Sequence, residues 1–315
     1  MNSTNDTTPS SVVKVGTRGS ELALTQTGHV VDTLKSSNPG VAFELVVIKT
    51  IGDRDKRQNP ATLGVGIFVR ELEEALRDGR VDIAVHSLKD MPSSLPPEFA
   101  LAAVPNREDP RDAFVSRSGK TLEEIPAGSR VGTGSARRKA LIKSLRPDLV
   151  VEPLRGNVPT RLGKLDEADG PDAVVLAAAG LNRLGLEDRI TQHLSCSSFV
   201  SAVGQGALAL ETRADDTATI SLAGKINHEQ TRLEVTAERA FLDEIGGGCS
   251  ASVSAHAKNR KGKITFSAFA STPDGTTVIR EYLSGDASNA AEIGRRIGQL
   301  FVEHGARQLV AGDVD

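Results

Sequence analysis

The sequence predicts an α/β fold of two doubly wound domains, followed by a small C-terminal α+β domain. Three observations predict it. Short β-branched apolar runs alternate with helical patterns through most of the chain, which is typical of mostly parallel sheets. Glycine and proline turns separate these elements. Beyond about residue 227 the strands are grouped apart from the helices, as in α+β domains.

The first predicted domain alternates strands and helices. Ser20 is placed to cap the first helix, and Gly79 to end the second. The predicted strands are 12–17, 41–50, 81–85 and 101–104. We place this domain at residues 1–105. We expect segment 199–211 to return and pair with its sheet, so residues 201–224 belong to the same domain.

The second predicted domain, residues 106–200, repeats this alternation. A small-residue turn, Gly134-Ser135, opens one helix, and a short helix is predicted over 158–165. The predicted strands are 113–116, 130–133, 149–153 and 173–177. The pattern leaves open that the two α/β domains are structural duplicates, since no internal sequence repeat is visible.

The third predicted domain, residues 225–315, has a strongly amphipathic helix over 231–245 and then two strands. Pro273-Asp274-Gly275 predicts a hairpin turn before a third strand. A last helix is predicted over 288–305, with Ser288 as its cap.

Composition excludes several classes of protein. A net charge of -3 provides no global basic field for nucleic acid, and 3% aromatic residues without Trp provide no base-stacking platform. No apolar run approaches the ~20 residues of a membrane helix. Cys196 and Cys249 make no disulfide framework, and the polar N-terminus carries no targeting signal. We therefore expect a cytoplasmic protein with neither a nucleic-acid nor a membrane partner.

The stretch from Val81 to Pro92 changes from a buried strand to a polar loop that contains His86, Lys89 and Asp90. Open α/β sheets bind their ligands at the carboxyl ends of such strands. The alternative is a strand that ends in a solvated loop, and a lone histidine beside a strand is usually structural. The rest of the chain favours a site here.

Arginines recur just after predicted strands. A single arginine is more often a solvated surface charge than a ligand. Their recurrence predicts a cleft for several carboxylates or phosphates, because the guanidinium fork matches both groups. Backbone N–H groups in the turn Thr133-Gly134-Ser135 also favour anions, although the turn lacks the Lys of a triphosphate-binding loop. The arginines are Arg18, Arg137, Arg138, Arg155, Arg161 and Arg183.

Cys249 follows three glycines, 246–248, at a predicted helix end. Glycine allows close approach of another group, so this thiol is displayed for use, whereas Cys196 lies between two serines and is interpreted as incidental. No set of His, Cys and carboxylate residues has the spacing of metal ligands, so we predict no metal. No Ser-His-Asp arrangement stands out beyond chance.

Six ordered motifs resemble those of the porphobilinogen deaminase family, also called hydroxymethylbilane synthases. The resemblance runs from about residue 12 to about residue 311. The motifs are V-D-I-A-V-H-S-L-K-D-M-P at 81–92, E-D-P-R-D-A-F-V at 108–115, V-G-T-G-S-A-R-R at 131–138, L-R-G-N-V at 154–158, V-G-Q-G-A at 203–207 and G-G-G-C ending in Cys249. The resemblance implies two domains like those of periplasmic binding proteins and a third that carries the cysteine.

By the same resemblance, the enzyme joins four porphobilinogen molecules head to tail on a covalent dipyrromethane primer. It releases ammonia at each step and finally frees the linear tetrapyrrole by hydrolysis. Cys249 would carry the primer through a thioether, and Asp90 would be the catalytic acid. The matching cofactor positions are Lys89, Thr133, Ser135, Arg137, Arg138, Arg161 and Arg183, and the matching substrate positions are Arg18, Ser20, Gln26 and Arg155.

The sequence departs from the family pattern in places, and a rival interpretation exists. Segment 61–66 has no lysine where many relatives have one, and Glu21 replaces a common proline. The rival is a non-catalytic binding protein of the same architecture that closes on a small anion. It would need neither the third domain nor the glycine-framed thiol. We therefore expect a monomeric transferase of porphyrin and heme biosynthesis with porphobilinogen as its small-molecule substrate.

Overall fold

The computed structural model describes residues 12–48, 67–246 and 252–311, and these form three sheets with helices around them. The strands are β1 (Val13–Arg18), β2 (Phe43–Ile48), β3 (Ile83–Ser87), β4 (Phe99–Ala103), β5 (Asp112–Ser116), β6 (Arg130–Gly132), β7 (Val150–Glu152), β8 (Ala173–Ala177), β9 (Gln192–Leu194), β10 (Leu208–Arg213), β11 (Val253–Arg260), β12 (Lys263–Ser271) and β13 (Val278–Asp286). The helices are α1 (Glu21–Ser37), α2 (Ile67–Arg77), α3 (Ala136–Leu145), α4 (Val158–Asp166), α5 (Ala178–Arg183), α6 (Thr217–Gly224), α7 (Glu229–Ile245), α8 (Ala290–Glu303) and α9 (Ala306–Ala311).

The first two sheets share one topology. Their strand orders are β2-β1-β3-β10-β4 and β7-β6-β8-β5-β9. In each sheet the first three strands run parallel, and the fourth is antiparallel to both of its neighbours. β10 is the returning strand that the sequence predicts, and it lies between β3 and β4. We call these sheets with their helices the first unit and the second unit.

The central strands of both units are buried on both faces. In β3, Ile83 and Val85 enter the core that contains Leu34 of α1, whereas Ala84 enters the core on the opposite face. Alternate residues of β8 divide in the same way between two cores. A strand covered on both faces has a continuous apolar sequence. This is why the sequence predicts both strands.

The C-terminal unit consists of β11, β12 and β13 with α7, α8 and α9. Its sheet is antiparallel throughout. Three phenylalanines pack at the centre: Phe241 lies 5.1 Å from Phe301 in an edge-to-face arrangement and 5.7 Å from Phe266, measured between ring centroids. Gly246 ends α7 with a left-handed φ of 72°, as its position after the amphipathic run predicts. The mixed α/β class with an α+β C-terminal unit is therefore confirmed.

The structure differs from the sequence prediction in several short elements. Helices α5 and α6 and strand β9 were not predicted, because six, eight and three residues give too little periodicity. Ser288 is not a helix cap: it lies inside a short 3-10 helix, Ala287–Asn289, whose cap Asp286 accepts from the Ser288 N–H. The domain boundaries stay a prediction. No helix in the described ranges is long and apolar enough to span a bilayer.

Candidate active site

A small cavity lies between the first and second units, at the ends of β3 and β8. Its volume is about 90 Å³. Side chains from both units line it, together with the chain just before β10. Four cations and two neutral polar groups are among the lining residues: Lys89, Arg138, Arg161, Arg183, Gln26 and Ser87. The lining residues that the structure describes include no Asp or Glu, so the cavity suits an anionic ligand.

The loop after β3 is fixed by two buried side chains. Leu88 and Met91 are 1% and 3% exposed, and the Leu88 N–H donates to the Ala207 carbonyl at 3.0 Å. Between these anchors a 3-10 helix presents Lys89 and Asp90, both half-buried. Lys89 reaches the cavity, whereas its neighbour Asp90 is not among the residues that line it.

The Lys89 ammonium titrates far below its ordinary range. Burial and, to a smaller extent, the positive charges of Arg138 and Arg137 lower the pKa of Lys89 to about 8, against the opposing pull of Asp90 and Asp112. A lysine with this pKa changes its charge near neutral pH, so its attraction for anions depends on pH.

Arg137 and Arg138 share one buried carboxylate, Asp112 on β5. Arg137 donates to Asp112 at 2.7 Å and Arg138 at 2.9 Å through Nε. Burial raises the pKa of Asp112, but the two arginines lower it more, to about 2. Arg137 also donates to the Val200 carbonyl at 2.8 Å, which holds it inside the second unit. Arg138 alone of the pair lines the cavity.

Arg161 is a cavity cation with a buried hydrogen-bond donor left open. Its Nε is buried and has no hydrogen-bond partner within the described part of the chain. Burial and, to a smaller extent, the nearby Arg138 charge together lower the pKa of Arg161 to about 10. An unpartnered buried donor is costly, and an anion removes that cost. Arg183 differs, because it already donates to the Gly206 carbonyl at 2.8 Å.

The predicted hydroxyl residues organise the backbone at this site. Ser135 caps α3 by accepting from the Arg138 N–H at 3.4 Å, and its own N–H donates to the Thr133 hydroxyl at 3.2 Å. Ser20 caps α1 in the same way, through the Ala23 N–H at 3.3 Å. The side-chain carbonyl of Gln26 accepts from Ser87 at 3.2 Å at the cavity wall.

Some predicted site residues lie elsewhere. Arg155 is exposed and does not line the cavity, and Arg18 is half-buried at the end of β1 and is not a lining residue either. Cys249 and segment 61–66 lie outside the described residues. The roles proposed for these residues therefore stay predictions.

Sequence reasoning missed two residues that shape the site. Asp112 was noted only as part of a motif, and Gln205 donates to it at 3.1 Å. An acidic residue at the start of an otherwise apolar strand, with two arginines following the next strand, is the signal that could have found this cluster. His86 has the structural role considered for it: its Nε2 lies 2.9 Å from Glu211 in a buried pair.

A cavity lined by cations between two α/β units, beside the loop that carries Asp90, defines a class: proteins that hold ligands with several carboxylates or phosphates. The comparisons with known proteins narrow it. Residues 13–221 match the model of the porphobilinogen deaminase, dipyromethane cofactor binding domain, and residues 232–303 match that of the porphobilinogen deaminase C-terminal domain. The chain belongs to the porphobilinogen deaminase family.

Curated relatives agree over almost the full length. The porphobilinogen deaminase of Shouchella clausii is 48% identical over 95% of this chain and 96% of its own length. That of Chromobacterium violaceum is 46% identical, covering 95% and 97%. Among solved structures, a YaeC-family lipoprotein of Enterococcus faecalis matches 70% of this chain and 92% of its own at 12% identity, with a TM-score of 0.41. The curated relatives and family matches confirm the predicted family, its transferase class and its dipyrromethane cofactor.

Proposed function

We propose that this chain condenses four porphobilinogen molecules stepwise onto a dipyrromethane primer and then releases hydroxymethylbilane by hydrolysis. The observation that carries the proposal is the buried Arg161 Nε, unpartnered among described residues, in a cavity with three further cations. Porphobilinogen is a dicarboxylate, so each condensation adds two negative charges that need such partners. Guanidinium groups bind carboxylates through two parallel hydrogen bonds, which also fixes their orientation.

The residues present fit the cofactor, which carries acetate and propionate side chains. Arg138, Arg161 and Arg183 would hold its carboxylates, and Lys89 would add charge from the opposite unit. We propose Cys249 as the attachment point, through a thioether. When bound, the cofactor supplies the pyrrole end to which new units are joined.

Asp90 would act on the reacting pyrrole rather than on the carboxylates. Loss of ammonia from porphobilinogen leaves a positively charged group, and a fixed carboxylate nearby stabilises the charge as it develops. The same carboxyl group can deliver or accept a proton. The buried anchors Leu88 and Met91 keep this loop in place, so the carboxylate needs little rearrangement during the reaction.

The cavity volume supports a movement of the two units during the reaction. About 90 Å³ is well below the ~300–1,000 Å³ of ordinary ligand pockets. A chain of several pyrrole units would therefore need the first and second units to separate. Their connections, the segments before β5 and before β10, are the places where such a movement would occur.

The proposal is tested by giving purified protein porphobilinogen and measuring ammonia and linear tetrapyrrole together. We expect four ammonias for each tetrapyrrole released. Cys249→Ser should abolish turnover, because a hydroxyl is a much weaker nucleophile than a thiol. Binding of porphobilinogen without ammonia release would instead support the rival binding protein.

We further propose that the enzyme works as a monomer in the cytoplasm. The composition supports the cytoplasmic location, since two cysteines make no disulfide framework. Light scattering of the purified protein at several concentrations should give a mass near 33.2 kDa throughout. A mass that doubles with concentration would contradict the monomer.

A further inference from the structure

The turn between β12 and β13 presses directly on the helix that carries the paired arginines. Gly275 in this turn has a φ of 75°. A Cβ atom at Gly275 would lie 2.5 Å from the carbonyl oxygen of Ala140 and 3.1 Å from the Cβ of Lys143, both on α3. Only a glycine fits this approach, since real Cβ atoms do not come so close to backbone. The contact lies about one turn beyond Arg137 and Arg138.

The turn is held rigid by Asp274. Its carboxylate accepts from the Thr272 hydroxyl at 2.5 Å, from the Thr276 N–H at 3.1 Å and from the Thr276 hydroxyl at 2.9 Å. These hydrogen bonds lower the pKa of Asp274 to about 2. The Gly275 N–H also donates to the Thr272 carbonyl at 2.9 Å. A turn tied in this way transmits a displacement to α3 instead of absorbing it.

The strands on either side of the turn join the core of the second unit. Phe269 of β12 is fully buried among residues of that unit, including Leu141 of α3, and Val278 of β13 packs against the same cluster. Arg280 lies 4.8 Å from the centroid of the Phe269 ring and donates to the Ser198 carbonyl at 3.0 Å. The Gly275 contact is therefore part of a packed interface between the C-terminal and second units.

The other end of the C-terminal unit contacts the loop that carries Asp90. Val235 of α7 packs in one buried cluster with Leu88 and Met91, the two anchors of that loop. Arg239 of α7 donates to the Ser93 carbonyl at 2.6 Å. The C-terminal unit thus contacts both sides of the cavity, at the loop that carries Asp90 and at α3.

We propose that Gly275 is a positioning residue for the carboxylate-binding side of the site. The turn around it sets the position of α3, so that Arg138 faces the cavity while α7 holds the Asp90 loop from the other side. The inference rests on the proposed function, because it assigns the consequence of a displaced α3 to cofactor and substrate carboxylates.

The test compares Gly275→Ala with Gly262→Ala in the holoenzyme. Gly262 lies between β11 and β12 with a φ of 80°, but a Cβ there would meet no atom within 4 Å. Both variants place a side chain in the same disfavoured backbone region, so this strain lowers both melting temperatures, and the clash with α3 should lower that of Gly275→Ala further. Only Gly275→Ala also displaces α3. Its kcat/KM for porphobilinogen should fall roughly ten- to hundredfold, chiefly through KM, as expected for misplacement of a binding group.

The fraction of protein that carries cofactor, measured by intact mass, gives a second readout. It should fall in Gly275→Ala and stay at the wild-type level in Gly262→Ala. Asp274→Ala loosens the turn without adding an atom against α3, and it should raise KM in the same direction by a smaller factor. It also keeps the test decisive if Gly275→Ala does not fold.

Unchanged KM in Asp274→Ala, or equal KM and cofactor content in the two glycine variants, would overturn the inference while leaving the proposed function standing. Wild-type protein without cofactor or turnover would overturn the proposed function itself.

Discussion

The first and second units have the same strand topology but carry different charged groups at the strand ends that face the cavity. β1 and β6 hold the same place in their sheets, and each leads through a threonine and a glycine to a serine that caps the next helix, Ser20 in one unit and Ser135 in the other. Both threonines, Thr17 and Thr133, are buried. The turn from strand to helix is therefore built in the same way in both units.

The difference begins at the third strand of each sheet. β3 is followed by a 3-10 helix that offers a lysine and a carboxylate, whereas β8 is followed by α5, which ends in Arg183. The second unit adds Arg138 and Arg161 from the two helices before it. Two units of one topology thus contribute different groups: Lys89 and Asp90 follow β3 in the first unit, and three arginines line the cavity from the second. The residue types at the strand ends, and not the fold, decide which groups each unit contributes.

Removing the Asp90 charge should have the largest effect. Asp90→Asn keeps the shape of the loop but removes the carboxylate, so turnover should fall by a factor on the order of 10²–10³ or more. The fold and the cofactor should be retained, as intact mass and circular dichroism would show. Asp215→Asn, an exposed carboxylate of the same unit, is the control and should keep wild-type turnover. Near-normal turnover in Asp90→Asn would contradict a catalytic role for Asp90.

Neutralising Asp112 should destabilise the arginine pair of the second unit. Asp112→Asn leaves Arg137 and Arg138 buried without their shared anion, which costs about 3–5 kcal/mol of folding free energy for a buried pair. Denaturant titration at pH 7 measures this loss, and cofactor content should fall with it.

The same variant has a pH signature. The unfolded pKa of Asp is about 3.9, and the folded pKa of Asp112 is lowered to about 2. Its stabilisation is therefore complete above about pH 4 and is lost as the pH falls from there towards 2. Wild type should lose stability through this window more steeply than Asp112→Asn. If the two stability curves run parallel, the arginine partners do not lower the pKa of Asp112.

Substitutions at Arg161 and Arg155 compare a cation with a buried donor to an exposed one. Arg161→Ala should raise KM for porphobilinogen about ten- to hundredfold, since hydrogen bonds to charged groups contribute about 1.5–3 kcal/mol. Arg161→Lys should recover only part of this, because lysine lacks the bidentate fork. Arg155→Ala should change KM by no more than a few-fold. Equal losses at both positions would support the substrate-binding role that the sequence predicts for Arg155.

Lys89 should give the smallest effect, visible only as a pH dependence. Its pKa is lowered to about 8, so it loses its charge as the pH rises through that value and binds carboxylates less well. KM should therefore rise severalfold between pH 7 and 9, while Lys89→Arg should remove this rise because arginine stays charged. An identical pH profile in both proteins would exclude Lys89 as its source.

The sequence predicted the long elements and the family, but not how the cations are paired. β3 and β8 are continuous apolar runs, and Gly246 marks a helix end, so local pattern was enough for them. The sharing of Asp112 by Arg137 and Arg138 joins residues 25 and 26 positions apart and depends on tertiary packing. Burial likewise separates Arg161 from Arg155, although both follow the same strand.

The most direct measurement is the intact mass of the purified protein, followed by peptide mapping. In protein made by a host that synthesises porphobilinogen, we expect an addition of two pyrrole units on the peptide that contains Cys249. Cys196 should stay unmodified, because burial raises the pKa of its thiol to about 11 and so suppresses the reactive thiolate. Turnover should then add mass in steps of one pyrrole unit. An unmodified mass with Cys249 reduced and free would contradict a covalent primer and favour the binding protein.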